Sequence, residues 1–214
     1  MADDTRDRIL FSAMTLFAEK GYASTSVSDI LHAAKANAGS LYYFFPGKQD
    51  VLIAVLETYL AGIQPMLLEP AWRGIDDPIK RVFALLDRYR LALTSTDHTY
   101  GCPIGSIALE IHEPDPTVRK LLAANFDGWV NAIEKCFVDA GKRLPKTLDR
   151  RSLAVFTLTT MEGGVMLSRT QRSIKPFDDS VKMLTDYVDV LASSARSAVG
   201  DTTDRIDTLL VPSF

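Results

Sequence analysis

Apolar residues recur every three to four positions along the chain, and no stretch alternates at period two as a half-buried strand would. This pattern predicts an all-α protein. Glycine, proline and capping residues between the apolar stripes predict where the helices begin and end. The predicted helices cover residues 4–20, 27–34, 38–44, 48–62, 78–96, 103–112, 115–141, 148–172 and 177–198.

Two short helices near the N-terminus have clear start signals. Ser26 and Asp29 are spaced as a capping box for the helix at 27–34, and Asn37 is a favourable N-cap for the helix at 38–44. The two helices are separated only by Lys35-Ala36-Asn37. A tight turn between two short helices, the second starting with the small residues Ala38 and Gly39, is typical of a helix-turn-helix, here at about residues 26–45.

The chain divides into two predicted modules. Pro65, Pro70 and Gly74 make the stretch from Gly62 to Pro78 resemble a joint. We therefore expect a helix-turn-helix DNA-binding domain at 4–62 and a ligand-binding and dimerisation domain at 63–199. Residues 200–214 form a tail that is either mobile or docked through its apolar residues Leu209, Leu210 and Val211.

The charge balance does not by itself favour DNA binding. The net charge is −3, and residues 1–50 hold five Lys or Arg against six Asp or Glu. A non-specific nucleic-acid binder has a broad basic surface. DNA binding must therefore depend on where individual charges and donors stand.

Localisation is indicated by several absences in the sequence. No uninterrupted apolar run approaches the roughly 18 residues that span a bilayer, and the start MADDTRDR lacks the features of a signal peptide. Two cysteines, Cys102 and Cys136, are too few and too far apart for a disulfide framework. We expect a cytoplasmic protein with no membrane partner.

The sequence gives little support to catalysis. The three histidines, His32, His98 and His112, are not at metal-ligand spacing, and neither a Gly-x-Ser-x-Gly motif nor a phosphate loop is found. No metal, cofactor or catalytic residue is expected. A helical enzyme and a helical adaptor without DNA contact stay as alternatives to a regulator.

The N-terminal residues resemble the DNA-binding module of the tetracycline-repressor (TetR/AcrR) family. The matching pattern is Leu16-Phe17-x3-Gly21-Tyr22-x2-Thr25-Ser26-x3-Ile30-x3-Ala34-x4-Gly39-Ser40-Leu41-Tyr42-Tyr43-Phe44-Phe45-x2-Lys48-x3-Leu52. The resemblance covers about residues 4–60. It implies a homodimeric regulator of operator DNA, most often a repressor, released by a small-molecule effector.

The resemblance also implies roles for individual residues. Leu41 and Phe45 would be core, with Phe44 beside them, whereas Tyr42 and Lys48 would hold phosphates. Two positions depart from the family pattern: Ala38 and Phe44 stand where polar readers are common. Ala38 can still contact a thymine methyl. The full set of predicted DNA contacts is Thr25, Ser26, Ser28, Asn37, Ala38, Gly39, Ser40, Tyr42, Tyr43 and Lys48.

The resemblance places an effector pocket and a homodimer interface in the C-terminal module. The dimer would form through the last two long helices, which are apolar on broad faces. Aromatic walls with few charges favour a small, flat, hydrophobic ligand. Its predicted contacts are Cys102, Glu110, Phe126, Trp129, Met161 and Glu162.

Cys102 leaves two interpretations open. It stands in the distinctive stretch Tyr100-Gly101-Cys102-Pro103, just before a predicted helix. A cysteine at a helix N-terminus can have a lowered pKa and act as a sensor of electrophiles or oxidants. A free cysteine is also commonly a buried packing residue.

Overall fold

The computed structural model describes the backbone of residues 2–207 and the side chains of residues 4–197. No strand occurs in that part of the chain. The helices are α1 (Ala2–Lys20), α2 (Val27–Ala34), α3 (Ala38–Phe44), α4 (Lys48–Gly62), a π-helix (Ile63–Leu68), α5 (Glu69–Trp72), α6 (Pro78–Ser95), α7 (Pro103–Glu110), α8 (Pro116–Asp139), a 3-10 turn (Gly141–Arg143), α9 (Arg150–Gln171) and α10 (Lys175–Asp207). The predicted all-α class is confirmed.

The stretch from Gly62 to Pro78, predicted as a joint between modules, is helical at residues 63–72. The prolines there did not end the helix. Pro65 lies in a wide π turn, in which the N–H of Glu69 donates to the carbonyl of Gln64 five residues back. Pro70 is the second residue of α5, which continues the same helical stretch to Trp72. The connection to α6 is therefore only Arg73–Asp77.

The helical stretch Lys48–Trp72 is also long and apolar enough to cross a membrane, by length and composition only. The expectation that no such segment exists considered only uninterrupted apolar runs. A helix of a protein core can have the same length and apolar composition. Five residues of α4 are buried in the core: Val51, Leu52, Ala54, Val55 and Leu56.

Contacts within the chain define two compact units. The first comprises residues 1–70 and 99–129, and the second comprises residues 71–98 and 130–214. Thus α7 and the first half of α8 pack with the N-terminal helices, although they lie beyond the predicted boundary at residue 62. The functional boundary between residues 62 and 63 remains a prediction, and the two compact units describe packing only.

The first unit has its core around α1. Ile9, Ala13 and Phe17 are buried at the four-residue spacing that places them on one face of the helix. Against this face pack α2, α3, α4 and α7. Each of them contributes buried apolar side chains: Ile30, Leu41, Val55 and Ile107.

In the second unit, α9 packs along α10 and against α6. The adjacent glycines of α9 differ in their surroundings. A Cβ on Gly164 would lie 3.0 Å from Cδ2 and 3.3 Å from Cα of Phe177, so Gly164 allows the two helices to approach closely. A Cβ on Gly163 would meet no atom within 4 Å.

The predicted tail lies partly in α10, which continues to Asp207. The apolar residues Leu209, Leu210 and Val211, proposed as a docking segment, lie outside the described residues.

Candidate nucleic-acid interface

The start of α2 is fixed by a local capping box. The N–H of Asp29 donates to the Ser26 hydroxyl at 3.1 Å, and the N–H of Ser26 donates to Oδ2 of Asp29 at 2.8 Å. Hydrogen bonds from the Ser26 side chain and backbone lower the pKa of Asp29. The capping box predicted from the sequence is confirmed, and it leaves Ser26 and Ser28 exposed at the beginning of the helix.

The turn between α2 and α3 is equally local. Lys35 ends α2 in the left-handed conformation, with φ at 50°, and its N–H donates to the carbonyl of His32. Asn37 then caps α3, since its Oδ1 accepts from the N–H of Ser40 at 2.8 Å. The predicted N-cap role of Asn37 is confirmed. The α1 helix supports this turn, because Nε of Arg8 donates to the carbonyl of Ala34 at 3.2 Å.

The α3 helix has one buried residue, Leu41, and a largely exposed remainder. Tyr42 is 55% exposed and Tyr43 is 80% exposed, as predicted for surface contacts. Ala38 and Gly39 are exposed at its start, and Ser40 is half-buried. Small residues at this end let the helix approach the base edges of a DNA groove.

The aromatic residues after Leu41 divide between core and surface. Phe45 is buried, as predicted. Phe44, expected in the core, is only half-buried and packs edge-on against the exposed Tyr43, with ring centroids 4.9 Å apart. Arg6 of α1 lies over the Phe45 ring at 5.5 Å.

Thr25 does not fit the prediction of a DNA contact. Its side chain is fully buried, and its hydroxyl donates to the carbonyl of Gly21 at 2.7 Å. Since this donor is used inside the protein, Thr25 stabilises the α1–α2 turn and has no exposed hydroxyl to offer a phosphate.

Lys48, the first residue of α4, is held against the α1–α2 turn. Its ammonium nitrogen lies 4.3 Å from the centroid of the Tyr22 ring and donates to the carbonyl of Ala23 at 3.5 Å. Burial lowers the pKa of Lys48, and the negative charge of Glu110 opposes that shift. Burial, followed by the charge of Glu110, raises the pKa of Tyr22. The sequence pattern contained Tyr22 but suggested no role for it.

Glu110, predicted to contact the effector, lies at this same turn. Its Oε2 accepts from the N–H of Tyr22 at 2.7 Å, and its Oε1 accepts from the N–H of Ala23 at 2.6 Å. Gly21 has φ at 87°, and a Cβ there would stand 3.0 Å from both carboxylate oxygens. The turn therefore needs glycine for its backbone conformation and for the space that Glu110 occupies.

Three other predicted effector contacts belong to the first unit. Cys102 is buried, and its Sγ accepts from the N–H of Gly105 at 3.5 Å. Phe126 and the buried Trp129 are in edge-on contact on α8, with ring centroids 6.4 Å apart. Tyr59 lies nearby, and burial, followed by the charge of Cys102, raises its pKa to about 12. The surroundings of Cys102, Phe126 and Trp129 are therefore mostly apolar.

The remaining two predicted contacts, Met161 and Glu162, lie in α9 of the second unit. Met161 is buried and Glu162 is half-buried. The six predicted effector contacts are therefore divided between the two units, with four in the first and two in the second.

The α9 and α10 helices expose apolar side chains at helical spacing. Phe156 and Tyr187 join the two stripes through an edge-on contact with ring centroids 6.2 Å apart. The open Gly163 lies within the stripe of α9. The exposed apolar residues are Val155, Phe156, Met166 and Leu167 on α9, and Met183, Tyr187 and Val190 on α10.

Comparison with known proteins gives two family-model matches. Residues 9–55 match the model of bacterial regulatory proteins of the tetR family. Residues 78–183 match the model of the C-terminal domain of LmrA/YxaF-like transcriptional regulators. The two matches cover the helix-turn-helix and most of the predicted C-terminal module.

Individual relatives agree with these matches. An uncharacterized HTH-type transcriptional regulator of Mycobacterium tuberculosis is 32% identical over 179 residues, covering 81% of this chain and 88% of the relative. The HTH-type transcriptional repressor DhaR of a Mycobacterium species is 26% identical over 194 residues, covering 90% and 94%. Among solved structures, a cysteine-substituted form of the TetR-family regulator CifR, in complex with a 26-bp operator duplex, superimposes with a TM-score of 0.70 at 22% identity, covering 84% and 94%.

Proposed function

The chain belongs to the TetR family of DNA-binding transcriptional regulators, and from this premise we propose that it is a homodimeric repressor released from its operator by a small hydrophobic ligand. The family is one of regulators and not of enzymes. We also propose that the protein binds its DNA in the cytoplasm.

The observation that most supports an operator contact is the grouping of polar residues at three helix starts. Ser26 caps α2, Asn37 caps α3 and Lys48 is the first residue of α4, all within the first unit. Backbone N–H groups at a helix N-terminus attract phosphate oxygens, and an ammonium group strengthens the attraction. The backbone N–H groups at the starts of α2 and α3 and the ammonium of Lys48 are therefore the donors that we propose for the DNA backbone.

We assign phosphate contacts to Ser26, Tyr42 and Lys48. Bases would be read by the exposed polar groups of Ser28, Asn37, Ser40 and Tyr43. Ala38 and Gly39 allow the close approach, and the Ala38 methyl can contact a thymine methyl. Because few of these side chains form bidentate hydrogen bonds with bases, specificity would depend substantially on apolar contact and on DNA shape.

The homodimer would form through α9 and α10. Their exposed stripe of seven apolar side chains and the open Gly163 form a surface that a second copy can cover. A twofold-symmetric dimer presents two α3 helices to half-sites about one helical turn apart, roughly 34–36 Å.

Release would follow from binding of an effector among apolar residues of the first unit, with Cys102, Phe126 and Trp129 as the proposed contacts. A ligand that prefers the state in which the two α3 helices do not match successive grooves lowers operator affinity. The repressor role agrees with DhaR, which is named a repressor. Electrophile sensing by Cys102 is less well supported, since its sulfur is buried.

The test uses duplexes that the wild-type protein recovers from a random-sequence library. Substituting Lys48→Gln together with Tyr42→Phe removes two proposed phosphate contacts from each protomer. The slope of log affinity against log salt should then become shallower by about 1.8 for a dimer, because each phosphate contact of a cation contributes about 0.9. Loss of the neutral Tyr42 hydroxyl should lower affinity without changing this slope. Lys146→Gln, an equal charge change at an exposed residue of the second unit, is the control.

Unchanged affinity and salt slope in the double variant would overturn the assigned DNA contacts. Failure of the wild-type protein to recover any duplex would overturn the operator-binding function itself. Repression would be tested with a reporter gene placed behind the recovered operator. Deletion of the gene for this regulator should raise expression of the reporter.

A further inference from the structure

The α7 helix is connected to the α1–α2 turn by one carboxylate. Glu110, the last residue of α7, accepts from the N–H groups of Tyr22 and Ala23, 88 and 87 residues earlier in the chain. Both oxygen atoms are used, at 2.7 and 2.6 Å. Charge-assisted hydrogen bonds of this length are among the stronger polar contacts in proteins.

The residues held by Glu110 also hold Lys48. The Tyr22 ring lies under the ammonium group, and the Ala23 carbonyl accepts from it. Glu110 therefore fixes the backbone N–H groups of Tyr22 and Ala23. The ring of Tyr22 and the carbonyl of Ala23 in turn orient the ammonium group of Lys48. The negative charge of Glu110 also favours the charged form of Lys48, against the effect of burial.

The same segment leads directly into α2. The buried Thr25 hydroxyl donates to the carbonyl of Gly21, and Ser26 follows as the N-cap. The position of this segment thus sets both the start of α2 and the ammonium of Lys48, the two proposed phosphate contacts that flank it.

The other end of α7 is anchored independently. Cys102 caps its first turn through Sγ, and Ile104 and Ile107 are buried within the first unit. Both ends of this eight-residue helix are therefore held, the first by the Cys102 cap and the last by the hydrogen bonds of Glu110.

We propose that Glu110 is a positioning residue for operator binding, through which the placement of α7 sets the position of Lys48 and the start of α2. This inference rests on the operator contacts proposed above. Movement of α7 away from the turn would leave the Tyr22 and Ala23 N–H groups without the carboxylate, and Lys48 without its oriented support, so operator affinity would fall.

The main variant is Glu110→Gln, which keeps the length of the side chain but replaces one acceptor oxygen by a donor. Glu113→Gln, at an exposed residue three positions later, makes the same change in net charge. We expect Glu110→Gln to weaken binding to the library-selected duplex at least about fivefold, in the range of typical coupling between sites. Glu113→Gln should change the affinity less than twofold, which corresponds to about 0.4 kcal/mol or less of binding free energy.

A double-mutant cycle separates positioning from a general structural role. If Glu110 acts through Lys48 and the start of α2, the Glu110→Gln substitution should cause a smaller loss when Lys48 is already Gln, and it should lower the salt slope in the wild-type background. Independent, multiplicative losses with an unchanged salt slope would overturn the proposal. An equal loss in Glu113→Gln would also overturn it.

Two measurements keep the test decisive if Glu110→Gln is poorly folded. Glu110→Asp keeps the charge but shortens the side chain by one methylene, and an intermediate loss of affinity is expected. Amide hydrogen exchange at Tyr22 and Ala23 should be slow in the wild-type protein and faster in Glu110→Asp, and equal rates would contradict the clamp. A wild-type protein that selects no duplex refutes operator binding instead, so the two failures are distinct.

Discussion

The ammonium of Lys48 stands 4.3 Å from the centre of the Tyr22 ring, so a residue of the α1–α2 turn determines where the first cation of α4 points. Lysine side chains are flexible, and orienting this one before DNA arrives reduces the entropy lost on binding. Tyr22 is itself fixed by an edge-on contact with Phe17, with ring centroids 5.3 Å apart.

The first prediction concerns this ring. Tyr22→Leu should weaken operator binding by about two- to fivefold per protomer, because a cation–π contact contributes roughly 0.5–1 kcal/mol. Tyr22→Phe keeps the ring and should bind within error of the wild-type protein. Fluorescence anisotropy with a labelled operator measures both. Equal affinities of all three proteins would show that the ring does not orient Lys48.

The second prediction concerns assembly. Val190 is 64% exposed in the apolar stripe of α10, and Val190→Lys places two like charges near each other across the proposed twofold interface. We expect light scattering to give the mass of one chain for this variant, and of two chains for the wild-type protein. Asp189→Lys, one residue away but off the stripe, should stay dimeric. A dimeric Val190→Lys protein would move the interface elsewhere.

The third prediction concerns the capping box. Ser26→Ala should reduce the free energy of unfolding by about 1 kcal/mol, the usual contribution of an N-cap. Ser28→Ala, on the same helix but with no capping contact, should change it little. Urea denaturation followed by circular dichroism measures both.

The acid dependence of stability tests the partner of Ser26. The pKa of Asp29 in the folded protein is below its ordinary value of 3.8, because Ser26 donates to the carboxylate. Its contribution is therefore complete above that ordinary value and is lost as the pH falls through the lower folded value. The stability difference between wild type and Asp29→Asn should shrink over this acid range. A difference independent of pH would contradict the assignment.

The fourth prediction compares two adjacent glycines in the Val190→Lys background, which removes the proposed dimer. Gly164→Ala should lower the free energy of unfolding by roughly 1–3 kcal/mol, because the added methyl group crowds the Phe177 backbone and ring. Gly163→Ala meets no atom within 4 Å and should raise it by about 0.5–1 kcal/mol through helix propensity. The same sign for both would argue against the close contact of α9 with Phe177.

The fifth prediction concerns the thiols. Burial raises the pKa of Cys136 to about 11, so at neutral pH its thiol is protonated and shielded. In a Cys102→Ser protein, iodoacetamide should modify Cys136 only after unfolding. The Cys136→Ser protein isolates Cys102. Fast modification of folded Cys102 at neutral pH would support the sensing alternative, and slow modification would support a packing role.

The helices and caps of the N-terminal unit were predictable because their determinants are local. Ser26 and Asp29 are three residues apart, and so are Asn37 and Ser40, so spacing alone identifies the hydrogen bonds. The exposed and buried residues of α3 followed from the family pattern. Tertiary packing decided the exceptions, Thr25 and Phe44.

The rest depended on contacts between distant parts of the chain. Glu110 is 88 residues from Tyr22, and no local signal indicates that its carboxylate completes the α1–α2 turn. The prolines at 65 and 70 led us to predict a break, although residues 63–72 are helical. The effect of a proline depends on the type of turn around it, which the sequence does not specify.

In α3, the residue that packs in the core is distinct from the residues that we propose to contact DNA. Only Leu41 is buried there, while the side chains proposed to face DNA contribute little to the core. Mutations at Ala38 or Tyr43 can therefore alter operator preference with small effects on stability. After duplication of such a gene, the copies can diverge toward different promoters by a few substitutions while retaining the same effector domain.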